Sequence, residues 1–246
     1  MGSVIAVVSG KGGTGKTSVC AGVSVALAQT GLRVLCVDCD VGLRNLDISL
    51  GLADSGALSF RDVSEGGYRL EQAACHPDYP SLFFLTAPMN CRMDQINQDD
   101  FFDMLRTART MFDYILLDAP AGVDAGFKLV SAGADRAVVV TGSRPASVRD
   151  ASRVGDLLEL AGKTDVRLVV NRVDRTMLSI LDQTIDDVMD SAGLPLLGVV
   201  LEDPDVPMAA ALGLALARYN KRATALQCFK RIAKRIQGYS EPIKIR

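Results

Sequence analysis

Residues 7–18, VVSGKGGTGKTS, decide how the rest of the chain is read. The stretch leaves an apolar run, VIAVVS at 4–9, and enters a helical pattern, TSVCAGVSVALAQTG at 17–31. Strand, glycine-rich loop and helix, in that order, are the context in which G-x-x-x-x-G-K-T binds phosphate. Gly10, Gly12, Gly13 and Gly15 let the backbone turn sharply, so that N–H groups around Lys11 and Thr14 aim at phosphate oxygens. The helix N-terminus, at Thr17 and Ser18, adds its positive dipole end. Lys16 is placed to reach the β- and γ-phosphates, and the Thr17 hydroxyl to bind Mg²⁺. The competing reading is a glycine-rich turn with no ligand, which needs neither the lysine nor the hydroxyl. Such a loop requires one lysine. Lys11 is a second, with no necessary role inside one subunit.

Further apolar runs lie at 33–38 (RVLCVD), 82–87 (LFFLTA), 114–119 (YILLDA), 136–141 (RAVVVT), 166–171 (VRLVVN) and 195–200 (PLLGVV). Helical patterns cover 16–30, 98–111, 146–161 and 178–191. The runs are nearly continuous in Val, Ile and Leu, as strands buried on both faces are, and this points to a parallel sheet. The alternation predicts an α/β fold: a single doubly wound, mostly parallel sheet of about seven main strands, with helices on both faces. No linker or repeat interrupts it. One domain is expected over 1–238, with a short tail at 239–246.

A phosphate loop also needs an acid for Mg²⁺ at the end of a neighbouring strand. FDYILLDAPAG supplies Asp118, near the switch point where ligands bind, to hold the ion through a water. Asp38 and Asp40 close the second strand in CVDCDVGLRNLD. Residues two apart share a face, so both can point at the γ-phosphate. Phosphoryl transfer to water demands positioning of the water more than strong base chemistry. One of the pair can orient it while the other supports the metal; the residues alone do not say which.

Composition narrows the alternatives. The chain has 246 residues, 48% hydrophobic and 23% charged, with no apolar stretch of spanning length. The N-terminus MGSVIAVVSG has no basic leader, so a cytoplasmic protein is expected. Cys36 and Cys39 form a nominal C-x-x-C, but on a strand they face opposite ways and should not share a metal. His76 is the single histidine, in a polar loop, so His-based metal sites and catalytic triads are not expected. From 218 to 246 there are nine Lys/Arg against one acid, Glu241, leaving 18 basic against 28 acidic residues elsewhere. A basic end on an acidic body suits a polyanion, or a solvated helix face.

KGGTGKT resembles the deviant Walker A loop of the MinD/ParA family of P-loop ATPases, and LDAPAG resembles the matching Walker B segment. DCDVGLRNLD is similar to the switch I of the family's MinD branch, and PASVRDASRV at 145–154 to the segment after its fifth strand. The likeness runs from residue 1 to about 238. It implies ATP and Mg²⁺ as ligands, slow ATP hydrolysis, and a homodimer in the ATP state. In this family the first lysine, here Lys11, crosses the dimer interface to the other subunit's phosphates. A cation supplied in trans couples nucleotide state to dimerisation, as an arginine finger does. The resemblance favours Asp40 for orienting the water, with Asp38 near metal and phosphates. It makes Asn171 and Arg172 the adenine-contacting pair, where an amide can read the base edge and a guanidinium can stack on it. Regulators are expected to dock around Arg44 and Asn45 of switch I and around Arg149, Asp150 and Arg153. The implied biological role is the positioning of a bacterial assembly, the division septum foremost.

The chain departs from that branch at its end. The last helical pattern, ATALQCFKRIAKRIQG at 223–238, matches the final core helix, with Leu226, Phe229, Ala233 and Ile236 on one face and Lys230, Arg231, Lys234 and Arg235 on another. Only YSEPIKIR follows in this sequence, too short for a membrane-anchoring helix, so the anchor is expected to be either missing or cut off. The basic helix as a peripheral membrane anchor is the minor reading. Two alternatives of function stand beside the leading one. A ParA-like partition ATPase would bind DNA non-specifically, with steep salt dependence. A metabolic or iron–sulfur-carrier member of the class is the other; its cluster-bearing form would need cysteines that LDAPAG lacks.

Overall fold

In the computed structural model, which describes residues 1–53, 55–180 and 182–243, the apolar runs close into one sheet of eight strands. The last three residues of the expected tail, 244–246, lie outside the described residues. The strands are β1 (Ser3–Val8), β2 (Val34–Asp38), β3 (Ala74–His76), β4 (Tyr79–Leu85), β5 (Tyr114–Asp118), β6 (Arg136–Thr141), β7 (Val166–Val173) and β8 (Leu196–Leu201). The helices are α1 (Lys16–Ala28), α2 (Leu46–Leu50), α3 (Phe60–Ser64), α4 (Gln98–Met111), α5 (Ala125–Gly133), α6 (Pro145–Leu160), α7 (Arg175–Ile180), α8 (Ile185–Ala192), α9 (Asp205–Ala211), α10 (Leu216–Tyr219) and α11 (Thr224–Ile236). The strand order is β3-β4-β2-β5-β1-β6-β7-β8, parallel throughout except for β3 against β4.

The doubly wound parallel fold expected from the runs is the fold observed, and each of the seven runs forms a strand. The eighth, β3, is three residues long, too short to leave a periodic signal. It carries His76, which is therefore not in a polar loop. The ring is buried against Tyr79, its Nε2 lies 2.9 Å from the Leu50 carbonyl, and its Nδ1 accepts from the Asp78 N–H at 3.1 Å. The helix expected over 178–191 is two. Thr184 and Asp187 form a capping box that starts α8 afresh after α7, and residue 181 lies outside the described residues.

Topology places the site. β1 lies between β5 and β6, on either side of the point where strand order reverses, and the loop after β1 opens there. Helix α1 leaves that loop across the sheet and packs on α11. Gly22 makes this possible, because a Cβ there would enter the Phe229 ring. The buried side of α11 is Leu226, Phe229, Ile232, Ala233 and Ile236, and burying Phe229 alone is worth roughly 1.5–3 kcal/mol. The basic helix is thus a core helix. Its outward cations are partly engaged: Lys234 pairs with Glu241 at 2.5 Å, and Arg235 donates to the Leu196 and Glu241 carbonyls. No helix among the described residues is long and apolar enough to cross a membrane.

Candidate active site

The loop from Gly10 to Gly15 is held from both ends. The Ser9 hydroxyl donates to the Lys11 carbonyl at 3.0 Å, and Asn171 Nδ2 donates to the Thr14 carbonyl at 2.8 Å. Gly15 has φ of 81°, and a Cβ there would run into the Asn171 amide, so no other residue fits. Helix α1 begins at Lys16, with its first N–H groups turned to the loop and no side-chain cap to occupy them.

Lys16 and Asp118 form the centre. Lys16 Nζ donates to Asp118 Oδ1 at 2.7 Å, and both side chains are nearly inaccessible. Burial works against the Lys16 ammonium, but the Asp118 charge and hydrogen bond outweigh it and raise its pKa. Burial also pushes the Asp118 carboxyl up, opposed by the ammonium at 2.7 Å and by the Thr17 hydroxyl beside it. The second oxygen, Asp118 Oδ2, is buried with no hydrogen-bond partner among the described residues. An orphaned carboxylate oxygen next to the Thr17 hydroxyl, an oxygen donor set, fits Mg²⁺ with its water shell.

Asp38 and Asp40 have separate surroundings. Asp38 pairs in register with Asp118 across β2 and β5 and is fully buried. Its Oδ1 accepts the Asp40 N–H at 2.9 Å, and its Oδ2 accepts the Asn45 and Leu46 N–H groups at 3.1 Å each. Burial first, then the Asp118 charge, pushes its pKa up to about 6 against those donors. Asp40 is half-buried, and its carboxylate makes no hydrogen bond among the described residues; burial raises its pKa, with Lys16 opposing. The carboxylate that fastens the loop to α2 is Asp38. The carboxylate free to engage a water is Asp40.

Lys11 is half-exposed and pairs with Asp150 of α6 at 3.4 Å. Asp150, expected on an open docking face with Arg149 and Arg153, is therefore turned to the phosphate loop. Arg149 and Arg153 are exposed. Arg44 is half-buried, in a left-handed conformation with φ of 43°, and donates through Nε to Asp47 at 2.7 Å; Asn45 beside it is exposed. Each expected docking segment is thus tied to the site, switch I by the Asn45 and Leu46 N–H groups on Asp38 and α6 by Asp150 on Lys11.

Two cavities flank the loop. One of about 480 Å³ is bordered by Lys11 to Thr14, Ser143, Arg144 and Arg172. The other, about 220 Å³, runs from Gly15 and Ser18 past Asn171 and Arg172 to Glu202, Val206 and Pro207. Arg172 is clasped by Glu202, through Nε at 2.9 Å and Nη2 at 3.1 Å. Sequence reasoning missed Glu202, whose only signal is an acid directly after the last apolar run.

Comparison with known proteins fits this geometry. Residues 5–217 match the model of the CobQ/CobB/MinD/ParA nucleotide binding domain. The septum site-determining protein MinD of Bacillus subtilis is 35% identical over 249 residues, covering 100% of this chain and 92% of that protein. The Aquifex aeolicus MinC:MinD cell division protein complex contains a chain that superposes with a TM-score of 0.90 at 33% identity, over 98% of both chains. The Pyrococcus horikoshii septum site-determining protein MinD, complexed with Mg-ADP, gives 0.81 at 28% identity over 96% of both chains. The chain belongs to the MinD branch of the CobQ/CobB/MinD/ParA nucleotide-binding family.

Proposed function

We propose that this chain is a Mg²⁺-dependent ATPase whose ATP-bound form dimerises, and that it positions the cell-division septum from the cytoplasm, with any membrane contact peripheral. Residues 1–238 act as the ATPase domain. The observation that carries the reading is the buried Lys16–Asp118 pair, with Asp118 Oδ2 unpartnered among the described residues behind a phosphate loop.

In this reading the loop N–H groups and Lys16 bind the phosphates of ATP, and Asn171 and Arg172 border its base. Thr17 and Asp118 would hold Mg²⁺, which would supply neutralisation of phosphate charge. Asp40 accepts a hydrogen bond from the attacking water and orients it in line with the γ-phosphorus. Its carboxylate has no competing hydrogen-bond partner among the described residues, as that task requires. Asp38 keeps Asp40 on station by holding the backbone that follows it. Lys11 serves the phosphates of the second subunit. To do so it must leave Asp150, and an exposed pair of this kind costs only about 0–1 kcal/mol to part. Hydrolysis is slow in this reading, and Lys11 of a second subunit completes the phosphate site. The structural relative in complex with MinC supports a protein regulator as the partner here as well.

Nucleotide binding and phosphate release, measured with Mg²⁺ and ATP, test the assignment. Lys16→Ala should lose nucleotide binding and all hydrolysis. A Lys16→Ala protein that binds ATP as the wild type does would refute the phosphate-loop reading.

A further inference from the structure

The pair expected to meet the base, Asn171 and Arg172, sits at a break in the ladder between β7 and β8. Val170 pairs with Val199 and Val173 with Leu201, so β7 spends one residue more than β8 over this interval. A bulge of this kind re-aims side chains next to active sites. Asn171 turns inward and bonds the Thr14 carbonyl. Arg172 takes the left-handed conformation, φ 56°, which costs a non-glycine residue of order 1–3 kcal/mol and persists only where the surroundings enforce it.

Glu202 is what the surroundings offer Arg172. It directly follows β8, and its own N–H bonds the Val173 carbonyl, so its backbone is fixed to the strand that carries Arg172. Just beyond, Asp203 accepts the Asp205 and Ala225 N–H groups and pins the chain to the start of α11. From this anchored position the carboxylate takes Arg172 in a two-pronged grip, at 2.9 and 3.1 Å. Such planar pairing fixes orientation as well as distance. Both residues border the 220 Å³ cavity that opens from Gly15 and Ser18, where a nucleotide held by the loop would place its base.

We infer that Glu202 is a positioning residue for nucleotide binding: it holds the Arg172 guanidinium as a fixed wall of the base cavity, and it acts on the base through Arg172 alone. The inference rests on the ATP-binding reading proposed above. It assigns to Glu202 no contact with phosphate or metal.

The test compares Mg²⁺-dependent binding of ATP and of inorganic tripolyphosphate, which has the phosphates but no base, by calorimetry on the full chain. Glu202→Gln keeps the shape but removes the charge that organises the grip. It should weaken ATP by about tenfold while tripolyphosphate affinity stays as in the wild type. Arg172→Gln should do the same, and the double variant should be no weaker than the worse single one, because the two act as a unit. Glu202→Gln weakening both ligands alike would mean a role through the loop or the fold, and would overturn the inference. So would unchanged ATP affinity, or additive losses in the double variant. Wild-type protein that binds ATP no tighter than tripolyphosphate would overturn the base-cavity reading itself.

Discussion

At the scale of single residues, two aspartates two positions apart lie in opposite surroundings. The spacing Asp38-x-Asp40 puts both at the end of β2, but only Asp38 is enclosed. It collects three backbone N–H groups and lies beside Asp118. The cost of that enclosure has a measurable sign. The folded carboxyl titrates near 6, above its ordinary 3.8, so between those values the folded protein binds more protons than the unfolded one. Stability from this group is therefore present at low pH and lost as pH rises through about 6. In Mg²⁺-free protein, urea unfolding of wild type should lose about 1 kcal/mol between pH 5 and pH 7 relative to Asp38→Asn. A difference between the two proteins that stays constant with pH would contradict the assignment. The sequence made Asp38, Asp40, Lys16 and Asp118 legible as a group, because each ends an apolar run or closes the glycine loop. Spacing alone could not divide the roles of the two aspartates; only the family resemblance favoured Asp40 for the water. That division depends on Asn45 and Leu46 folding back over Asp38, which no spacing encodes.

At the scale of elements, α6 is the informative one. It was readable as a helix with an exposed charged side, and Arg149 and Arg153 are on that side. Asp150 is not free in the same way, because it pairs with Lys11 across the phosphate loop. A regulator docking on α6 would therefore sit one residue from a contact that changes when Lys11 departs, and would bind one nucleotide state better than the other. Reversing Arg149 and Arg153 to Glu should leave ATP-driven dimerisation intact and abolish ATP-dependent binding of the cognate regulator in a pull-down. Retention of the same regulator would place the docking face elsewhere. Short elements were the ones the sequence hid. β3 and α2 are too brief to show a period, and the bulge at Asn171 and Arg172 lies inside a run that reads as plain strand. Glu202 was invisible for the same reason, since its importance comes from that bulge.

At the scale of the whole molecule, the parallel order and the placing of the phosphate loop beside the switch point were readable from seven apolar runs, because strands buried on both faces leave a strong signal. The α11 helix shows the limit of charge as a guide. Its four cations suggested an anionic surface, but its apolar side is spent on α1 and β8 through Phe229, Ile232 and their neighbours. What the fold leaves unexplained within one subunit is Lys11, a second loop lysine whose ion pair among the described residues is with a half-exposed aspartate. A second copy of the chain would give Lys11 its role, as proposed above. Sedimentation velocity of Asp40→Ala with Mg²⁺ and either ATP or ADP tests this most directly, since hydrolysis is blocked while the phosphate loop is intact. The account predicts a stable dimer with ATP, a monomer with ADP, and a monomer again with ATP once Lys11→Ala is added. A dimer that forms regardless of nucleotide, or one that survives the loss of Lys11, would contradict it.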